Sequence, residues 1–68
     1  MTYTAVIKQV SEGWIGWIEE LPGVNCQENE YDSLIESLRE TLKEAIALNK
    51  EAALASAGRN YQELAVSV

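Results

Sequence analysis

Apolar and polar residues alternate with a period of about two along the N-terminal part of the chain, as in β-strands. Residues 3–10 and 14–19 are rich in β-branched and aromatic side chains, and residues 11–13, Ser-Glu-Gly, have the composition of a turn. The pattern predicts two antiparallel strands joined as a β-hairpin.

A break and a third strand follow the hairpin. Pro22 lacks the backbone N–H that a sheet requires, and Gly23 can adopt positive φ, so the first pattern ends here. Residues 24–28, Val-Asn-Cys-Gln-Glu, alternate again, with Val24 and Cys26 on one face. A short third strand is therefore expected.

From Tyr31 the apolar residues recur at helical spacing, which predicts an amphipathic helix with one face to bury. Gly58 is a natural stop. An unbroken helix over residues 31–57 would be about 40 Å long, whereas a strand of six to eight residues covers only about 20 to 27 Å. The helix must overhang the sheet or break, and Asn49 is the weakest point of its apolar stripe.

The last eight residues, 61–68, alternate once more, with Leu64, Val66 and Val68 on one side. They predict a fourth strand. The fold class expected is therefore α+β: a single β-β-β-α-β domain over residues 1–68, with one sheet and one helix packed on one of its faces.

Two tryptophans lie three positions apart in the second predicted strand. An odd separation places Trp14 and Trp17 on opposite faces of a sheet. Gly16 shares the face of Trp14 and would let a helix approach closely, while Glu19 shares the face of Trp17 and favours water. We expect Trp14 to pack under the helix and Trp17 to face outward, in an interface or on an open sheet surface.

Size and charge limit the classes of partner. The chain of 68 residues has a formal net charge of −6, one cysteine and no histidine. A domain this small buries little surface and usually needs additional stabilisation from a disulfide, a metal or a partner subunit. Because neither a disulfide nor a zinc site is possible here, we expect a homo-oligomer or a complex. The acidic balance disfavours direct nucleic-acid binding and favours a basic partner, unless the glutamates serve solubility alone.

Catalytic chemistry is sparse. Without histidine the chain has no Ser-His or Cys-His pair, and Cys26 lies at an apolar strand position typical of a structural thiol. Glu28, Glu30 and Asp32 could form a Mg²⁺ site or could simply favour the start of the helix. We expect no enzyme, catalytic residue, metal or cofactor, no membrane span, and a cytoplasmic location.

The residues 'EGWIGWIEELPGVNCQ', followed by 'SLIESLRETLKEAI', resemble the HicB-like antitoxin family. The shared features are an aromatic after glycine in a strand, an acidic-Leu-Pro-Gly turn at residues 20–23, a short strand with Gln, and a Leu/Glu-rich helix. The resemblance covers about residues 3–48 well and the last predicted strand loosely. It implies a partial ribonuclease H-like or double-stranded-RNA-binding-like β-β-β-α-β domain, without a metal-binding carboxylate set.

The resemblance also implies a function, that of the antitoxin in a type II toxin-antitoxin pair. Such an antitoxin binds a small basic HicA-type toxin, an mRNA-cleaving ribonuclease, and occludes its surface. Longer family members carry a C-terminal DNA-binding segment, and we expect a short form without it. Alternatives are a stand-alone oligomeric regulatory or scaffold protein with no toxin, and a carboxylate-dependent nuclease. The residues expected to contact the partner are Ile15, Trp17, Glu19, Glu20 and Glu28.

Overall fold

The structure is a computed structural model that describes residues 2–68. Three strands form one antiparallel sheet in the order β1-β2-β3, and one helix follows them. An α+β architecture with one helix on one sheet is thus observed. The elements are β1 (Ala5–Val10), β2 (Gly13–Ile18), β3 (Asn25–Glu28) and α1 (Tyr31–Ala57).

The register of the sheet assigns each side chain to one of two faces. Ile7 lies opposite Gly16, and Gly16 lies opposite Cys26 in β3, so these residues share a face. A Cβ atom added to Gly16 would lie 2.8 Å from Cδ1 of Leu38 in α1. This face is therefore the one covered by the helix, and we call it the inner face.

The core between helix and sheet is small. Among residues 2–68 the buried apolar side chains are Ile18, Val24, Leu34 and Leu38. Helix α1 lies mainly over β2 and β3, so the inner side of β1 is less well covered. Consistent with this, Ala5 is exposed although its pairing with Ile18 places it on the inner face.

Helix α1 runs without a break through Asn49 to Ala57 and ends where the sequence predicts. Gly58 adopts φ 72°, and its N–H donates to the Leu54 carbonyl at 3.2 Å. Ala45 is the last helical residue that packs against the core. The helix therefore overhangs the sheet, and the molecule measures 51 × 24 × 15 Å.

The expected fourth strand is not formed within this chain. Residues 58–68 have no regular secondary structure, and Leu64, Val66 and Val68 are 84%, 79% and 127% exposed. Alternation makes a segment suitable for a sheet, but a strand exists only where another strand supplies backbone hydrogen bonds. The helix overhang carries this segment away from the sheet. Helix α1 is therefore the last element of the single chain.

Candidate partner-binding face

The sheet has a second face that no element among residues 2–68 covers. Val6, Lys8, Ile15, Trp17 and Gln27 alternate with the inner residues and point away from α1. We call this surface the outer face. Its apolar part consists of Trp17, Val6 opposite it across the β1-β2 ladder, and Ile15. The polar Lys8 and Gln27 flank Ile15 on the two neighbouring strands.

The two tryptophans lie as their parity predicts. Trp14 packs against the core on the inner face, and its ring meets that of Tyr31 edge-on, with centroids 5.2 Å apart and planes at 79°. Trp17 is 39% exposed on the outer face. One strand thus carries one aromatic ring that holds the fold together and one ring that is available to a partner.

Two carboxylates follow Trp17 at the end of β2. The Glu19 N–H donates to the Thr4 carbonyl at 3.0 Å, which continues the β1-β2 pairing. By alternation Glu19 therefore lies on the outer face beside Trp17. The Thr4 N–H in turn donates to Oε1 of Glu20 at 2.7 Å.

This hydrogen bond affects the charge of the Glu20 carboxylate. The donation from the Thr4 backbone N–H holds the pKa of Glu20 below its ordinary value, because it favours the ionised form. Glu19 on the outer face and Glu20 in the turn after it place two carboxylates at the end of β2, close in sequence to Trp17.

Glu28 does not belong to this surface. Its partner in the sheet is Trp14, which places it on the inner face, and its Oε2 accepts a hydrogen bond from Oγ of Ser37 in α1 at 2.6 Å. Glu28 thus ties β3 to the helix. The expected partner set divides accordingly: Ile15, Trp17 and Glu19 share the outer face, Glu20 follows in the turn after β2, and Glu28 lies on the inner face.

The signal that separates Glu28 from the others was present in the sequence. Cys26 and Glu28 are two positions apart in one strand, so both face the helix once Cys26 is assigned to the core. The hydroxyl of Ser37, which satisfies the Glu28 carboxylate, was not singled out by sequence reasoning. A half-buried carboxylate next to a helix requires such a donor.

Cys26 has a structural environment. It is half-buried against the core, and its Sγ lies 3.5 Å from Oγ1 of Thr41, a weak hydrogen-bond contact. Within residues 2–68 no three or more Cys, Asp or Glu side chains come together as possible metal ligands. Across the same residues no helix is both long and apolar enough to span a membrane.

Comparison of the chain with protein-family models, with curated proteins and with solved structures finds no match in any of the three. The outer face must therefore be interpreted from its own geometry and from the sequence motifs.

Proposed function

We propose that this protein is an antitoxin that binds a small basic HicA-type ribonuclease and blocks its mRNA-cleaving surface. The observation that carries the proposal is the outer face, where the exposed ring of Trp17 shares a face with Ile15 and Glu19, and Glu20 follows in the turn after β2. An apolar centre with a charged rim is the usual anatomy of a protein-binding surface. The sequence resemblance supplies the class of partner.

Charge supports a basic partner. The chain has eleven acidic and five basic residues, for a formal net charge of −6. An RNA-cleaving protein must attract phosphates and therefore carries clustered Lys and Arg. Carboxylates at the rim of the outer face would meet such a surface with complementary charge, which raises the association rate and selects the partner. Occupation of the basic surface by protein carboxylates would exclude RNA.

The size of the contribution from Trp17 can be estimated. A tryptophan side chain buries up to about 250 Å², and Trp17 is 39% exposed, so about 100 Å² remains to be covered by a partner. At roughly 25 cal/mol per Å² this gives about 2.5 kcal/mol before association costs. Trp17 would therefore be a hot spot, although part of its surface is already used within the sheet.

The experiment is a binding measurement between this protein and the small basic protein encoded by the adjacent gene. We expect Trp17→Ala to weaken the complex by about 30-fold or more, the effect of a hot spot worth about 2 kcal/mol. The double variant Glu19→Gln with Glu20→Gln should lower the association rate and its salt dependence, because the rim charges steer the encounter.

Leu48→Ala is the matched control, because Leu48 is an exposed apolar residue on the overhanging part of α1, 63% exposed and away from the sheet. It should leave the affinity unchanged. If Leu48→Ala weakens the complex while Trp17→Ala does not, the partner binds the helix overhang rather than the outer face. If the two proteins form no complex, the antitoxin proposal is wrong.

The alternative of a stand-alone oligomeric protein with no toxin is supported by a different feature, the uncovered apolar side chains of residues 61–68. It predicts self-association without any complex with the adjacent gene product. The two functions are distinguished by the same binding measurement, because only the antitoxin requires a second protein.

A further inference from the structure

An apolar groove and a free sheet edge lie side by side at β1. A cavity of about 220 Å³ opens between the start of β1 and helix α1. Its lining is mostly apolar: Tyr3, Ala5 and Ile18 lie on the sheet side, Ile35, Leu38 and Leu42 lie on the helix, and Arg39 adds one charged side chain. We call it the β1 groove. It lies at the edge of the sheet, because β1 has β2 as its neighbour on the other side.

The backbone beside this groove is also unsatisfied. As an edge strand, β1 presents a row of N–H and C=O groups that pair with no other strand. A strand added there would make hydrogen bonds to β1 and would point every second side chain under α1. The groove and the open edge therefore require the same ligand: an extended segment with apolar residues at alternate positions.

Residues 61–68 have these properties. Leu64, Val66 and Val68 recur at alternate positions, all are almost fully exposed, and the segment adopts no regular secondary structure in the single chain. The groove and the segment are thus two apolar surfaces that are both uncovered in the same chain.

The length of α1 limits how many residues of the segment can reach the β1 groove of their own chain. From Ala57 back to Leu42, at the near end of the groove, the distance along the helix is about 22 Å. An extended chain leaving the helix at Gly58 would use about seven residues to cover it. About four residues would then remain to pair with β1, a strand of six residues. The segment of a second copy does not have to span this distance back along the helix.

The dimensions of the chain also indicate a missing partner of this kind. The radius of gyration is 15.1 Å, whereas a compact domain of this length has about 11 Å. The accessible surface is 5644 Å² for 7.5 kDa, whereas a compact monomer of this mass exposes about 4,200 Å². The difference, about 1,400 Å² per chain, is more than the roughly 800 Å² that each partner buries in a standard interface.

We propose that two copies of this protein exchange residues 61–68, so that the segment of each copy forms a fourth strand along β1 of the other and inserts Leu64, Val66 and Val68 into its groove. The mutual exchange makes the contact closed and symmetric, which limits assembly to a dimer. The outer face with Trp17 remains free in this dimer. The proposal therefore does not depend on the antitoxin function.

The test compares two double variants of the full chain by sedimentation equilibrium. Leu64→Asp with Val66→Asp places charge on the row that enters the groove, whereas Ala65→Asp with Ser67→Asp places the same charge on the opposite row. We expect the unmodified protein and the second variant to have twice the mass of one chain, and the first variant to have the mass of one chain. All these side chains are exposed in the single chain, so circular dichroism should show the same helix content in all three proteins.

Hydrogen exchange locates the contact. In the dimer the free-edge amides of β1 should exchange more slowly than in the monomeric variant, because the added strand accepts their hydrogen bonds. The proposal is overturned if the unmodified protein is a monomer, if both variants remain dimers, or if both dissociate. It is also overturned if the dimer leaves exchange at β1 unchanged and slows it only along residues 46–57, since the contact would then be between the overhanging helices.

Discussion

Trp14→Ala should unfold most of the protein. Trp14 packs against the core on the inner face, and its ring also meets Tyr31 edge-on at 5.2 Å. Replacing a buried tryptophan by alanine costs about 3–5 kcal/mol, and Trp14 is half-buried, so its loss removes much of the roughly 3–5 kcal/mol that a single core in a domain of this size supplies. We expect loss of the cooperative transition in urea and of most of the helical circular dichroism signal.

Trp17→Ala is the matched control for this prediction, because it removes the same side chain from the other face of the same strand. Trp17 is 39% exposed and lies outside the core, so the free energy of unfolding should fall by about 1–2 kcal/mol, less than for Trp14→Ala and too little to unfold the domain. Helix content should remain that of the unmodified protein. If Trp17→Ala unfolds the chain and Trp14→Ala does not, the assignment of the two faces is reversed.

Gly13→Ala should have the second largest effect on the fold. Gly13 begins β2 with φ 133°, a conformation that L side chains rarely adopt, and a Cβ atom there would lie 2.5 Å from the Glu28 carbonyl oxygen. Backbone strain of this kind costs about 1–3 kcal/mol. The clash is with backbone and cannot be relieved by a rotamer change, so β2 and β3 would have to move apart. This movement should lower the free energy of unfolding by about a further 1–3 kcal/mol.

Gly23→Ala separates these two contributions. Gly23 has φ 93°, but an added Cβ atom would meet no atom within 4 Å. This variant should therefore show the strain cost alone, about 1–3 kcal/mol. Equal losses of unfolding free energy in the two variants, measured by urea titration, would show that the close approach of β3 to Gly13 does not contribute.

Local pattern was sufficient to predict the elements that pair within the chain. The period of two in residues 3–10 and 14–19 gave the hairpin, and its parity separated Trp14 from Trp17. The structure shortens the first strand, which begins at Ala5. The helix start at Tyr31 and its stop before Gly58 also follow from local signals.

Local pattern could not predict which strand residues 61–68 would pair with. Residues 61–68 alternate as well as β1 does, but a strand requires a neighbouring edge, and the position of that edge depends on the length of the helix before it. Asn49 weakens the apolar stripe without breaking the helix, because an overhanging helix at this point has no apolar face to keep buried. The resulting overhang separates the segment from its own sheet.

The candidate site could be predicted only where its residues lie in a regular strand. Ile15 and Trp17 lie in a regular strand, where parity determines their face. Glu28 lies near the strand-to-helix junction, where sequence reasoning grouped it with Glu30 and Asp32 by proximity in the chain. Its hydrogen bond to Ser37 depends on how α1 crosses β3, which is a tertiary relation.

The most direct test of the antitoxin function is an RNA cleavage assay with the purified protein encoded by the adjacent gene. Increasing amounts of this protein should suppress cleavage to background near equivalence, and Trp17→Ala should require a large excess for the same suppression. This protein alone should leave the RNA intact. Full cleavage in the presence of a large excess of the unmodified protein would contradict the proposed function.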